Sequence, residues 1–173
     1  MKILDVGCGF KFGHVKRGTI GVDLHRGLAD VIADAHHLPF KDESFDGCYA
    51  YAILEHVDNP YKVLSEINRV LRSRKWVKIL VPTDSRLRSD YVALFFSLHW
   101  KHCWQEYKAM KSGEHKWQYS ENGLRKILDK TGFEVKKVER PSHPFISGRR
   151  VGKVLKKLGI VRHPHLIVEA IKR

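Results

Sequence analysis

Short apolar runs alternate with more polar stretches through the first 83 residues of the chain. Each run holds five to seven residues, and most of them stop at glycine, proline or aspartate, which is typical of buried β-strands. The pattern therefore predicts five strands in this half of the chain. They cover residues 2–6, 19–23, 30–34, 44–50 and 76–81.

A helix is predicted between the fourth and fifth strands. Pro60 suits its first turn, and Asp58 or Asn59 can cap it. Apolar side chains then recur at helical spacing, at Val63, Leu64, Ile67, Val70 and Leu71. Strands that alternate with helical crossovers indicate a parallel sheet covered by helices, the doubly wound α/β class.

The pattern changes after Pro82. A helix is predicted from about Ser120 to Gly132, followed by strands at 133–139 and 165–171 that can pair antiparallel. We therefore expect a mostly parallel seven-stranded sheet with an antiparallel edge strand, in a single domain over residues 1–173. Two segments interrupt this pattern: a lid or substrate insertion at 84–119, and a basic insertion between the last two strands at 141–163.

The net charge of +13 is concentrated in the second half of the chain. Residues 1–83 hold 12 lysines and arginines against 10 acids, whereas residues 84–173 hold 20 against 9. The pattern of residues 149–157 predicts a basic amphipathic helix, which either binds RNA phosphates or only faces solvent. The residues that would contact RNA are Arg149, Arg150, Lys153, Lys156 and Lys157.

Apolar run length and cysteine usage exclude several classes of protein. No apolar run approaches the roughly 20 residues of a membrane span, so no transmembrane segment is expected. The three cysteines are widely spaced and form no Cys-x-x-Cys pair, which argues against a disulfide framework or a thiolate zinc site. No metal is therefore predicted, and the reducing cytoplasm is the expected location.

A glycine turn after the first strand is the most informative feature. Gly7 and Gly9 allow a sharp turn and the close approach of a ligand, and Asp23 ends the second strand, where it can accept ribose hydroxyls. The dinucleotide fingerprint needs a third glycine, where this chain has Phe12. Asp5 would repel a pyrophosphate but would attract a cationic amino acid group. These residues favour an adenosyl amino acid over a dinucleotide.

The segment Leu4-Asp-Val-Gly-Cys-Gly9 resembles the first motif of the class I S-adenosylmethionine-dependent methyltransferases, in the group called type 11. Further segments resemble later motifs of this group in the same order. They are residues 21–23, 34–40, 42–46, 54–57 and 66–71. The resemblance is close over residues 2–83 and loose over 124–135.

This resemblance implies a Rossmann-like fold with S-adenosylmethionine as cofactor. The residues that would bind the cofactor are Asp5, Gly7, Cys8, Gly9, Asp23, Leu24, Asp34, Ala35, Ala50 and Tyr51. The chain departs from the family at Lys11, which replaces a glycine, and at Ser73-Arg-Lys75, which replaces a Pro-Gly-Gly turn. It also starts at the first strand, so we expect residues 84–119 to supply most of the cover of the site.

Methyl transfer from a sulfonium is an in-line displacement that needs a general base only when the acceptor is protonated. The candidate bases are His56 and His115. Aromatic side chains could stack a planar acceptor or form the core of the lid. They are Trp100, Trp104, Trp117 and Tyr119.

Two classes of function remain after these arguments. The first is a methyltransferase that acts on a nitrogen or oxygen of a small planar molecule or of an RNA nucleotide. The alternative is a catalytically inactive module that keeps the fold and binds nucleic acid. A nicotinamide oxidoreductase ranks third, because the dinucleotide fingerprint is incomplete.

Overall fold

The structure, a computed structural model, describes residues 1–9, 19–27, 29–83, 116–140 and 165–173 of the 173-residue chain. In this part of the chain seven strands form one sheet. The strands are β1 (Ile3–Val6), β2 (Thr19–Asp23), β3 (Val31–Ile32), β4 (Phe45–Tyr51), β5 (Leu71–Pro82), β6 (Phe133–Glu139) and β7 (His165–Lys172).

The strand order across the sheet is β3-β2-β1-β4-β5-β7-β6. The ladders that join β3, β2, β1, β4 and β5 are all parallel, whereas β7 runs antiparallel to both β5 and β6. The predicted mostly parallel seven-stranded sheet with its antiparallel strand is therefore confirmed. The chain passes from β1 to β2 and β3 on one side, and it then crosses to β4 on the other side of β1. A crevice opens at the carboxyl ends of β1 and β4, where the strand order reverses.

Two helices cover one face of the sheet in the described residues. Helix α1 (Pro60–Val70) begins with the Asn59 side chain, which accepts the Lys62 N–H, and α2 (Glu121–Lys130) begins with Ser120, which accepts the Gly123 N–H. Their buried side chains form one apolar core with alternate residues of β4, β5 and β7. This core includes Leu64, Ile67, Leu124, Leu128, Cys48, Val77, Ile79 and Val168. No helix in these parts of the chain has the length and hydropathy needed to cross a membrane.

The boundaries differ from the prediction at the junction of α1 and β5. The spacing placed Leu71 on the helix and started the strand at residue 76, but Leu71 already has an extended backbone and pairs with Phe45. The ladder is irregular just after this pair, and Arg74 adopts a φ of 59°. The chain thus passes from helix to strand with no intervening loop, because the pairing of Leu71 with Phe45 outweighs its helical spacing.

Strand β3 is shorter than the predicted 30–34. Only Val31 and Ile32 pair with β2, and the Asp30 side chain accepts the Gly21 N–H at 2.8 Å. Residue Asp34 already begins a turn, since its carbonyl accepts the His37 N–H. One backbone hydrogen bond flanks the pair on each side, from the Asp30 N–H to the Gly21 carbonyl and from the Ala33 N–H to the Asp23 carbonyl, and the pairing ends there.

A half-buried ion pair on α1 fixes the segment that follows β3. The Arg69 guanidinium binds both carboxylate oxygens of Glu66, with N–O distances of 3.1 and 2.8 Å. It also donates to the carbonyls of Phe40 and Leu38, at 2.8 and 2.9 Å, and to the Asp42 carboxylate. Glu66 in turn accepts the Leu38 N–H, and the guanidinium lowers the pKa of Glu66 below its usual range. The pair therefore holds residues 38–42 against the helix.

Replacing Arg69 by lysine should destabilise the protein by about 2 kcal/mol. A lysine ammonium cannot donate at the same time to two carboxylates and two backbone carbonyls, as the planar guanidinium does. Arg72→Lys is the matched control, since Arg72 forms a half-exposed ion pair with Asp46 and its replacement should cost less than about 0.5 kcal/mol. Urea unfolding of both variants measures the difference. Equal losses of stability would contradict the role given to Arg69.

Candidate functional site

The glycine turn at the end of β1 is bonded to the end of β2. Gly7 has a φ of 76° and donates its N–H to the Val22 carbonyl at 2.8 Å. A Cβ on Gly7 would lie 2.8 Å from two side-chain atoms of Ile53, so both the backbone angle and the packing require glycine. Gly9 has a φ of 66°, and a Cβ added there would meet nothing within 4 Å among the described residues. Among the described residues, nothing therefore fills the space beside the Gly9 backbone.

The Asp23 carboxylate supports this turn from the end of β2. One oxygen accepts the Gly9 N–H at 3.0 Å, and the other accepts the His25 N–H at 3.0 Å. A carboxylate offers about four acceptor positions, so both oxygens keep capacity for the hydroxyls of a ligand. Asp23 thus fixes the turn and remains a binding group.

The segment after β3 supplies a second carboxylate. Asp34 Oδ1 accepts the backbone N–H of His36 at 2.9 Å and lies 2.6 Å from Nδ1 of the same residue. The backbone N–H, and then the ring, lower the pKa of Asp34 below its usual range. Asp34 is therefore ionised at neutral pH.

The loop after β4 forms the opposite wall. Ala52 has a φ of 51°, which is uncommon for a residue with a side chain, and its N–H donates to the Leu80 carbonyl at 3.0 Å. The loop then turns through a hydrogen bond from the His56 N–H to the Ile53 carbonyl, which leaves His56 exposed.

Residues 116–119 run along the same loop. The Glu55 carbonyl accepts the N–H groups of Lys116 and Trp117 at 2.7 and 3.2 Å. The indole N–H of Trp117 donates to the Val57 carbonyl at 2.8 Å, while 43% of the residue remains exposed. Tyr119 is buried, and its hydroxyl donates to the Leu54 carbonyl. Burial raises the pKa of Tyr119 well above its usual range.

These elements enclose a cleft of about 400 Å³ at the carboxyl ends of the parallel strands. Its volume lies within the range of small-molecule sites. The carboxylates of Asp23, Asp34 and Asp58 face it, with Lys116 paired to Asp58. The lining residues are Gly7, Val22, Asp23, Leu24, His25, Ala33, Asp34, Ala35, His36, Ala52, Ile53, His56, Val57, Asp58 and Lys116.

Comparison with known proteins agrees with this geometry. A family of proteins described as the methyltransferase domain, type 11, matches residues 4–78. The O-methyltransferase rstn1 of Aspergillus nomiae is 31% identical over 159 residues, which cover 78% of this chain and 64% of that protein. Residues 4–78 belong to the type 11 methyltransferase domain family.

Two further relatives define how far this likeness extends. An uncharacterized protein of Methanocaldococcus jannaschii is 34% identical over 109 residues, which cover 56% of this chain and 48% of that protein. A SAM-dependent methyltransferase of Methanosarcina mazei superposes with a TM-score of 0.63 at 18% identity, covering 99% of this chain and 92% of that one. The second likeness concerns the fold alone. The chain spans about half the length of the first relative, so the activity of the whole protein is a matter for proposal.

Within this methyltransferase domain, six of the predicted site residues line the cleft: Gly7, Asp23, Leu24, Asp34, Ala35 and His56. Gly9 borders the turn, and Tyr51 is partly exposed at the end of β4. Asp5, Cys8 and Ala50 are buried in or beside the sheet. Burial raises the pKa of the Cys8 thiol to about 11, so it is neutral at physiological pH. The predicted roles of all these residues stay predictions.

Several other predictions fall elsewhere in the chain. Trp117 and Tyr119 lie beside the loop after β4, as described above. His115, Trp100, Trp104 and the basic segment 149–157 lie outside the described residues. Sequence reasoning did not select Ala52, Asp58 or Lys116 as cleft residues. Asp58 and Lys116 are separated by 58 positions, and no local pattern marks such a pair.

Glu55 is a buried carboxyl group next to the cleft-lining His56. Only 3% of Glu55 is exposed, and its Oε2 has no hydrogen-bond partner among the described residues. Burial raises the pKa of Glu55 above the ordinary glutamate value. The folded protein therefore holds this proton more tightly than the unfolded chain does.

The raised pKa of Glu55 should add to the free energy of unfolding, in full at a pH below the ordinary glutamate pKa. This added stability should be lost as the pH rises through the raised pKa. Glu55→Gln stays neutral and should lack this decline, so it should gain stability relative to the parent from about pH 4 to about pH 8. Glu121→Gln is a control of opposite sign, because Arg140 and Arg125 lower the pKa of Glu121. Urea unfolding across this range measures both trends, and parallel curves for the parent and Glu55→Gln would refute the assignment.

Proposed function

We propose that the protein transfers the methyl group of S-adenosylmethionine to a nitrogen or oxygen atom of an acceptor molecule. The observation that carries this proposal is the Asp23 carboxylate at the end of β2, which is bonded to the Gly9 N–H and faces the cleft. This arrangement supports the binding of a ribose beside a turn that a ligand can approach closely.

The donor set of the cleft fits S-adenosylmethionine. Asp23 would accept the ribose hydroxyls, and the Asp34 segment would hold the base. The amino acid end would lie at the Gly9 turn, and its ammonium and the nearby sulfonium suit a cleft lined by three carboxylates, one of which is paired to Lys116. A pyrophosphate would meet repulsion there, so the same carboxylates disfavour a dinucleotide.

The cofactor supplies a methyl group on a positively charged sulfur, which leaves as a neutral thioether. The protein would hold the two reactants in the orientation that the displacement needs. The turn at Gly9 and the segment anchored by Arg69 would hold the cofactor, and the loop after β4 would hold the acceptor. His56 lines this loop and would accept the proton of a hydroxyl acceptor. Trp117 lies beside this loop, outside the cleft lining, with 43% of the residue exposed, so a planar acceptor that extends beyond the cleft would stack on the indole.

Asp23→Asn should weaken S-adenosylmethionine binding by about tenfold or more, because it removes a negative charge while one amide oxygen can still accept a backbone N–H. Asp30→Asn is the matched control: Asp30 also accepts a backbone N–H, from Gly21, but lies outside the cleft lining. Isothermal titration calorimetry of the three proteins gives the affinities. Unchanged affinity in Asp23→Asn would remove the central support of the proposal.

Transfer itself is tested with S-adenosylmethionine that carries a labelled methyl group. The protein is incubated separately with total RNA and with a small-molecule extract, and the label should move into one of the two. With a hydroxyl acceptor, His56→Gln should lower kcat more than it changes KM. Cofactor that is bound but never consumed, together with salt-dependent RNA binding, would instead indicate the inactive nucleic-acid-binding module.

A further inference from the structure

His36 connects the second carboxylate of the cleft to the start of a helix. Its Nδ1 lies 2.6 Å from Asp34 Oδ1, and its Nε2 accepts the backbone N–H of Asn59 at 3.2 Å. Asn59 is the N-cap of α1. One imidazole ring therefore spans the segment after β3 and the helix that follows the opposite wall of the cleft.

These two contacts fix the position of the proton on the ring. A nitrogen that accepts an N–H carries no proton, so Nε2 is the acceptor and Nδ1 is the donor to Asp34. The two contacts thus correspond to the Nδ1–H tautomer of the ring. Its donation, together with the backbone N–H of His36, occupies Oδ1 of Asp34 and leaves Oδ2 for other partners.

We propose that His36 is a positioning residue for S-adenosylmethionine binding: it holds the Asp34 carboxylate in the orientation that binds the cofactor, through a ring that Asn59 keeps in the Nδ1–H form. This inference rests on the proposed function. Partners that orient a ligand-binding group in this way commonly affect affinity without belonging to the reacting atoms. The geometry assigns this role to His36 and not to His37, whose backbone N–H bonds only to the Asp34 carbonyl and whose side chain is exposed.

Two isosteric variants separate the two contacts of the ring. In His36→Asn the amide nitrogen takes the place of Nδ1 and can still donate to Asp34, whereas in His36→Gln the amide oxygen takes the place of Nε2 and can still accept the Asn59 N–H. Each variant loses one hydrogen bond, so their thermal stabilities should be similar. His36→Gln should bind S-adenosylmethionine about tenfold more weakly than the parent, and His36→Asn should stay within about threefold. His37→Asn is the control and should bind like the parent.

Calorimetry of the four proteins distinguishes failure of this inference from failure of the proposed function. If the parent protein does not bind S-adenosylmethionine, the proposed function fails. If the parent binds it and the two His36 variants lose affinity equally, or neither does, the positioning role is overturned.

A spectroscopic measurement tests the proton position without any ligand. Long-range proton–nitrogen correlation spectra of the labelled protein should show His36 with its proton on Nδ1, and His37→Asn should leave these signals in place. An Nε2-protonated ring at His36 would contradict the contact with Asn59 and overturn the inference.

Discussion

The ion pair of Glu66 and Arg69 is the constraint on which the cleft depends. Strand β3 has only two residues in its ladder with β2, and a backbone hydrogen bond from Ala33 to the Asp23 carbonyl ends this pairing. Beyond that point the guanidinium holds the chain, since it bonds directly to the backbone carbonyls of Leu38 and Phe40. Asp34 and His36 keep their places in the cleft because the chain just beyond them is tied to α1.

Charge acts on this molecule at two length scales. The protein carries a net charge of +13, which extends an attractive field for anions over roughly 10 Å into solution at moderate salt. The cleft itself is acidic, with Asp23, Asp34 and Asp58 in its walls. A cationic ligand is thus favoured at short range within the cleft.

Much of the fold and part of the cleft follow from local sequence. The strands at 19–23 and 133–139 were predicted with the observed bounds, because an apolar run meets a clear stop signal at each end. Asp23 was predicted at the cleft because it ends a parallel strand, whereas Asp34 was predicted there from the resemblance to the methyltransferase family.

The remaining features arise from contacts between distant residues. Arg69 reaches carbonyls 29 and 31 positions earlier, and Lys116 pairs with Asp58 across 58 positions. Neither contact is associated with a periodic pattern or a bias in composition that could be recognised in the sequence. The extension of β5 to Leu71 was missed for a related reason: pairing with Phe45 decides its conformation, and helical spacing at that position is only a local preference.

Because α1 passes directly into β5, this part of the chain has no loop residues that could absorb a change in length. A helix advances by 1.5 Å and turns by roughly 100° with each residue. One inserted residue would thus swing Asn59 away from His36 or push Leu71 out of register with Phe45, and no loop lies between helix and strand to absorb the change. The contacts at its two ends therefore fix the number of residues in α1, and insertions or deletions are expected outside this helix.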